Sequence, residues 1–210
     1  MFEAKQGNGM VTARDVWQEL LEGNKRFVSG QGSKKEFGNS WELEERQFPL
    51  AAVLACSDSR VPVEIALDQE PGHIFTVRTA GHSLSRAVLG SLEYAICELK
   101  VPLLVVLGHQ HCGALNAALA HSMGTTAQGN IAYVAKCVLD SLSFEAPEWA
   151  EVAGEVGAAH AHVRGSLFRV LADSPLLYQE LDAGRLAVVG AHYSLRSGRV
   201  HEIPSTRHGF

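Results

Sequence analysis

The sequence predicts an α/β domain: a mostly parallel four-stranded sheet with an added edge strand, flanked by helices and preceded by a helical N-terminal arm. Three observations carry this. Short apolar runs at Leu50–Cys56, Ile74–Arg78, Leu103–Leu107 and Leu186–Gly190 read as buried strands. Longer segments between them repeat apolar residues at helical spacing. Strands separated by helices imply parallel pairing with both sheet faces covered. No linker interrupts the pattern, so residues 1–210 read as one domain.

The elements follow in order. Residues 1–10 are rich in Gly, Asn and Gln and are expected to be loose. Thr12 and Asp15 resemble an acidic capping box. Val16, Trp17, Leu20, Leu21, Phe27 and Val28 then form a helical stripe that ends near Ser29-Gly30. Gly30–Ser40 is polar and punctuated by Gly, as in a loop. A Pro71-Gly72 turn introduces the strand at Ile74–Arg78. Ser83–Leu99 is predicted helical, with Leu84, Val88, Leu92, Ala95 and Leu99 on one face. The uninterrupted apolar run Leu103–Leu107 suits a central parallel strand. Helices are expected at Gly113–Ala120, Ile131–Leu142 and Pro147–Ala172, the last with Trp149, Val152, Val156, Ala159, Val163, Leu167 and Val170 in register. Arg199–Ile203 suits an edge strand, and residues 204–210 are expected to be loose.

Composition narrows the function. With 46% hydrophobic and 20% charged residues, the 210-residue chain has ordinary globular usage, which argues against disorder. The net charge is −5 and no segment masses Lys and Arg, so nucleic-acid binding gains little support. The longest strongly apolar stretch, Val101–Gly108, is far short of the roughly 20 residues of a membrane helix. The start, MFEAKQGNGM, lacks a basic-then-apolar signal layout, so a cytoplasmic protein is expected. Four cysteines are too few for a disulfide scaffold.

Two segments carry chemistry: Ala55-Cys56-Ser57-Asp58-Ser59-Arg60-Val61-Pro62 and Gly108-His109-Gln110-His111-Cys112-Gly113-Ala114. Each begins where a predicted strand ends, and sites in open parallel sheets form beyond the strands' carboxyl ends. Cys56 can therefore meet His109 and Cys112. Two Cys and one His suit Zn²⁺, and three protein ligands with an open position are the pattern of a catalytic zinc. Asp58 lies beside the first ligand. Cys112 opens a helix, whose positive end favours a thiolate. Plainer readings exist: buried cysteines as small hydrophobes, a hydrogen-bonded strand-end histidine, and Asp58–Arg60 as a weak surface ion pair. A redox pair is disfavoured because no Cys-x-x-Cys occurs. The two segments together favour zinc. Cys97 and Cys137 fall within helices and read as small hydrophobes. His160 and His162, about 200° apart around a helix, cannot share one ion and read as ordinary helix residues. His111, between two ligands, reads as a solvent-exposed bystander, with proton relay the sharper alternative.

These motifs resemble the β-class carbonic anhydrases. The family's C-x-D-x-R is present as Cys56-Ser57-Asp58-Ser59-Arg60, and its H-x-x-C-G as His109-Gln110-His111-Cys112-Gly113. Asp68–Arg78, Ser91–Ala95 and the Leu103–Gly108 strand are also similar. The likeness runs from about Val11 to Ile203 and weakens around Gly124–Gly154. It implies a zinc lyase hydrating CO₂ reversibly to bicarbonate and a proton, through zinc-bound hydroxide. One zinc per chain would sit on Cys56, His109 and Cys112. Asp58 would orient the hydroxide and Arg60 would clamp Asp58. Phe75, Ala80, Tyr94, Gly113 and Gln47 would bind substrate, Gln47 across a dimer interface. A homodimer or dimer of dimers is implied, with the N-terminal helix lying across the neighbouring subunit. One subtype has a second bicarbonate site built on a Trp, an Arg and a Tyr. Here the Trp position is Val53, while Arg78 and Tyr193 fill the other two. This departure argues for an open zinc rather than one closed by Asp58. Hydrolysis of carbonyl sulfide or carbon disulfide on the same scaffold, or an inactive zinc-stabilised sensor, are the rival readings.

Overall fold

The computed structural model describes residues 11–32, 47–125, 127–144 and 154–210. Along the chain come α1 (Ala13–Val28), β1 (Ala51–Cys56), α2 (Val63–Ala66), β2 (Ile74–Thr79), α3 (Arg86–Glu93), β3 (Leu103–His109) and α4 (Gly113–Ser122). They are followed by α5 (Asn130–Leu142), α6 (Gly154–Asp173), α7 (Pro175–Asp182), β4 (Ala187–Tyr193) and β5 (Val200–Glu202). The sheet order is β2-β1-β3-β4-β5. The first four strands are parallel, and β5 adds antiparallel to β4. The expected α/β architecture is therefore present. Residues 1–10, most of the predicted loop up to Ser40, and Trp149 and Val152 lie outside the described residues.

Strand alternation divides the core. Val53, Ala55, Leu103, Val105, Leu107, Val189 and Ala191 pack with Val16, Trp17 and Leu20 of α1 and with Val63 and Ala66 of α2. Their neighbours Ala52, Leu54, Leu104, Val106 and Val188 pack with Val88, Leu92, Val163, Leu167 and Val170. Side chains of period two thus feed two helical layers.

The capping box at Thr12 and Asp15 is formed in both directions. The buried residues of the helical arm pack on their own chain's sheet: Trp17 and Leu20 are fully buried there, and Trp17 Nε1 donates to Glu202 at 3.1 Å, while Leu21, Phe27 and Val28 stay half-buried. Other expectations need correction. The helix predicted from Ser83 begins at Arg86, because the Ser85 hydroxyl accepts from Val88 N and caps it. Its last turn, Tyr94–Glu98, is π-helical. Helix α7 was not expected; Ser174 caps it and Pro175 occupies its first turn, where a missing N–H costs nothing. The tail 204–210 is not loose. Thr206 is buried, its hydroxyl donating toward backbone carbonyls of Gly190 or Ile203 and accepting from Gly190 N, and His208 bridges to Val188.

Candidate metal centre

The site lies at the carboxyl ends of β1 and β3. Cys56 is the last residue of β1, His109 the last of β3, and Cys112 the N-cap of α4. Their ligand atoms all lie within 4.8 Å of one another, and all three residues are buried. The two sulfurs are 3.9 Å apart. Parallel registry creates the meeting: Ala55 pairs with Leu107, so both strands end together.

Each donor is prepared by its surroundings. His109 Nδ1 sits 2.8 Å from Gln110 O, a carbonyl that can only accept, so Nδ1 carries the proton. Nε2 is then a bare lone pair, buried and without a hydrogen-bond partner. Cys56 Sγ accepts backbone N–H groups from Gly81 at 3.2 Å and Asp58 at 3.4 Å. The hydrogen bond from Cys112 and these N–H donors pull the Cys56 thiol down, while the adjacent Cys56 sulfur pushes Cys112 up. Without a cation the pair keeps one proton; a divalent ion between them would let both ionise. An orphaned imidazole nitrogen beside two converging sulfurs is a donor set that fits Zn²⁺.

Asp58 lies beside this set. Its Oδ2 is 4.0 Å from His109 Nε2. Arg60 grips it bidentately, Nε to Oδ1 at 2.9 Å and a terminal nitrogen to Oδ2 at 2.7 Å, with Arg60 N donating to Oδ1 as well. The Arg60 guanidinium holds the Asp58 carboxyl well below the usual carboxylate range. Arg60 also donates to the His111 carbonyl, tying the two motif loops together.

Two residues that the motifs do not include build the site from β2 and the turn after it. Arg78 donates to the Cys56 carbonyl at 3.0 Å and to the Asp58 carbonyl at 2.7 Å. Gly81 has φ of 62°, and a Cβ there would stand 2.9 Å from Ala114 Cβ. A Gly just past a strand that flanks β1 was the available sequence signal. Beyond them, buried His82 stacks on buried His162 with ring centres 4.0 Å apart.

The expected substrate residues scatter. Ala80 and Gly113 are exposed beside the site, each next to a residue that contacts or supplies a sulfur. Phe75 pairs with Ala52. That places it about 13 Å down the strand from the β2 residue opposite Cys56. There it packs with Tyr94, ring centres 6.2 Å apart. Gln47 is exposed. One chain does not bring Phe75, Tyr94 or Gln47 to the cysteines. Val53 is fully buried, and Tyr193 is nearly so. Among the described residues no helix is long and apolar enough to cross a membrane.

The profile of the carbonic anhydrase family matches residues 51–200. Carbonic anhydrase 2 of Mycobacterium tuberculosis is 41% identical over 187 residues, covering 88% of this chain and 89% of that protein. The carbonic anhydrase of Pseudomonas aeruginosa is 33% identical, covering 80% and 79%. Among solved structures, a Coccomyxa β-carbonic anhydrase in complex with acetazolamide superposes with a TM-score of 0.69 at 25% identity, covering 88% of this chain and 84% of its own. One of two tetrameric β-carbonic anhydrases from the ascomycete Sordaria macrospora gives the same TM-score at 21% identity, covering 90% and 98%, and so speaks to the fold.

Proposed function

The chain belongs to the β-carbonic anhydrase family, whose general reaction is CO₂ hydration, and we propose that it works through one zinc ion held by Cys56, His109 and Cys112. The single observation that carries this reading is the convergence of those three ligand atoms, one of them a bare imidazole nitrogen. When bound, zinc lowers the pKa of water at its open position and so supplies a nucleophile near neutral pH.

The protein's own groups do the rest. Asp58, kept ionised by Arg60, accepts a hydrogen bond from the attacking water and orients a lone pair toward the carbon of CO₂. The water oxygen bonds to that carbon, one C=O π bond opens, and the products are bicarbonate and a proton: CO₂ + H₂O ⇌ HCO₃⁻ + H⁺. Because Arg60 occupies both Asp58 oxygens, the carboxylate is disposed to stay off the metal, and Val53 leaves the second bicarbonate site without its Trp. Ala80 and Gly113 border the approach. Gln47, Phe75 and Tyr94 act, on this reading, at the site of a second subunit in a homodimer or dimer of dimers, and the enzyme works in the cytoplasm.

Metal analysis with stopped-flow CO₂ hydration on wild type, Cys56→Ser and Asp58→Ala tests the proposal. About one zinc per chain is expected in wild type and in Asp58→Ala, and far less in Cys56→Ser. Hydration should collapse in Cys56→Ser and fall at least tenfold in Asp58→Ala, as for loss of a group that orients the reacting species. Equal rates in the three proteins, or wild type free of zinc, would overturn it.

A further inference from the structure

We propose that His160, His192 and His201 form a second metal site, for a borderline divalent cation such as Zn²⁺, Co²⁺ or Ni²⁺. His192 on β4 and His201 on β5 are directly opposed in the antiparallel ladder, so their side chains leave the same face. That face is covered by α6, which contributes His160. The ring centres lie 5.0 Å apart for His160–His192, 5.1 Å for His192–His201 and 5.9 Å for His160–His201. Three imidazoles on one ion, with metal–nitrogen bonds of about 2 Å, place their ring centres about 5 Å apart.

The tautomer of His192 is fixed from outside the trio. Gln110 Oε1 receives Leu195 N at 3.3 Å and lies 3.0 Å from His192 Nε2. An amide oxygen only accepts, so Nε2 bears the proton and Nδ1 is a lone pair. This Nδ1 is buried with no hydrogen-bond partner, and so is His160 Nε2. A ligand imidazole whose other nitrogen donates to a protein oxygen is the usual outer-shell arrangement of metal sites. Burial holds His192 down to about 3 and lowers His160, so both rings are neutral and able to ligate at pH 7. Nitrogen donors without a carboxylate select borderline ions over Mg²⁺ or Ca²⁺. Only the Cys56–His109–Cys112 set, among the described residues, already has its ligand atoms within 4.8 Å of one another. Closing the histidine trio on an ion asks for side-chain movement, for which the exposed His201 has room. Gln110 directly follows His109, so an ion here would press on the loop of the first centre.

Cobalt titration of protein carrying a single zinc per chain tests this independently of catalysis. The expected result is one further Co²⁺ per chain, with visible ligand-field bands and no new thiolate charge-transfer band. Affinity should fall at least tenfold in His201→Ala and in His160→Gln. His201 is exposed on a short edge strand, and thermal unfolding checks that the variant is folded. A Cys112→Ser variant should keep the nitrogen-only spectrum even though the first centre is crippled. Uptake unchanged in His201→Ala, thiolate bands accompanying the extra cobalt, or no extra cobalt in wild type would each overturn the proposal.

Discussion

At Cys56 a sulfur sits in a buried strand tip, where an ionised thiol needs donors. The backbone supplies two, from Asp58 and Gly81. Gly81 can do so because its left-handed φ of 62° and its missing Cβ let the turn after β2 close against Ala114. Gly81→Ala adds strain of about 1 kcal/mol and a steric overlap that pushes the N–H off the sulfur. We expect zinc affinity, measured by chelator competition, to fall about tenfold or more. Unchanged affinity would show that the turn is only a connector. Arg60 makes a separate prediction. It depresses the Asp58 pKa, so the carboxylate is ionised throughout the neutral and mildly acidic range. In Arg60→Gln the group returns toward its ordinary value of about 4, so kcat/KM should bend a second time near that pH, below the limb set by the attacking water. A profile with no second bend would remove Arg60 from this role. Cys56, Asp58, Arg60, His109 and Cys112 were legible because each motif is contiguous and each opens at a strand end. Gly81 was not, and Arg78 was legible only as part of a second bicarbonate site, because they reach the metal centre from β2 and the turn after it, and only the pairing of Cys56 with Thr79 brings them there.

At the scale of elements, α1 is the instructive case. Of the stripe its periodicity names, Val16, Trp17 and Leu20 are buried while Leu21, Phe27 and Val28 are half-buried, and periodicity alone could not say which elements anchor the helix. The structure answers with Asn24, a buried polar residue inside that stripe. Asn24 Nδ2 donates to the carbonyls of Ala66 and Gly198, each at 2.8 Å, and Oδ1 accepts from Val200 N at 2.8 Å. One side chain thus fastens α1 to α2 and to β5 at once. Asn24→Ala strands three backbone groups and should cost roughly 3 kcal/mol. Urea unfolding reads this directly; a loss below about 1 kcal/mol would mean that water replaces the amide and the helix is held by its apolar stripe alone. The same limit of local reading explains the late start of α3. Leu84 extends the apolar repeat, yet Ser85 behind it caps the helix, and only the N–H accounting of the first turn shows that the helix cannot begin earlier. In α7, Pro175 reads locally as a breaker, whereas Ser174 makes it a first-turn residue.

For the molecule as a whole, the alternation of faces is what the sequence conveyed best, since β1, β3 and β4 are continuous apolar runs that only a doubly covered parallel sheet can bury. It conveyed least about histidines, because a histidine in a helix looks the same whether it faces solvent or core. The fold buries His82 and His162 as a stacked pair and His192 on β4. Burial lowers the pKa of His82 well below its ordinary value and those of His162 and His192 to about 3. For such a group the unfolded chain takes up a proton first, at its ordinary pKa of about 6.5. Stability is therefore complete above about pH 6.5 and falls as pH drops toward 3, by up to about 1.4 kcal/mol per pH unit for each histidine. The sign is set by desolvation, which penalises the charged form only in the folded state. Acid also releases a metal from thiolates, so wild type alone cannot separate the two causes. His162→Phe keeps a flat ring against His82 and removes one titrating group. Urea unfolding of both proteins between pH 7.5 and 4.5 should give a shallower loss in His162→Phe, by up to about 1.4 kcal/mol per unit below pH 6.5, with metal release common to both. Parallel stability curves for the two proteins would mean that His162 becomes protonated within the folded protein at its ordinary pKa, and that the buried pair is not a neutral one.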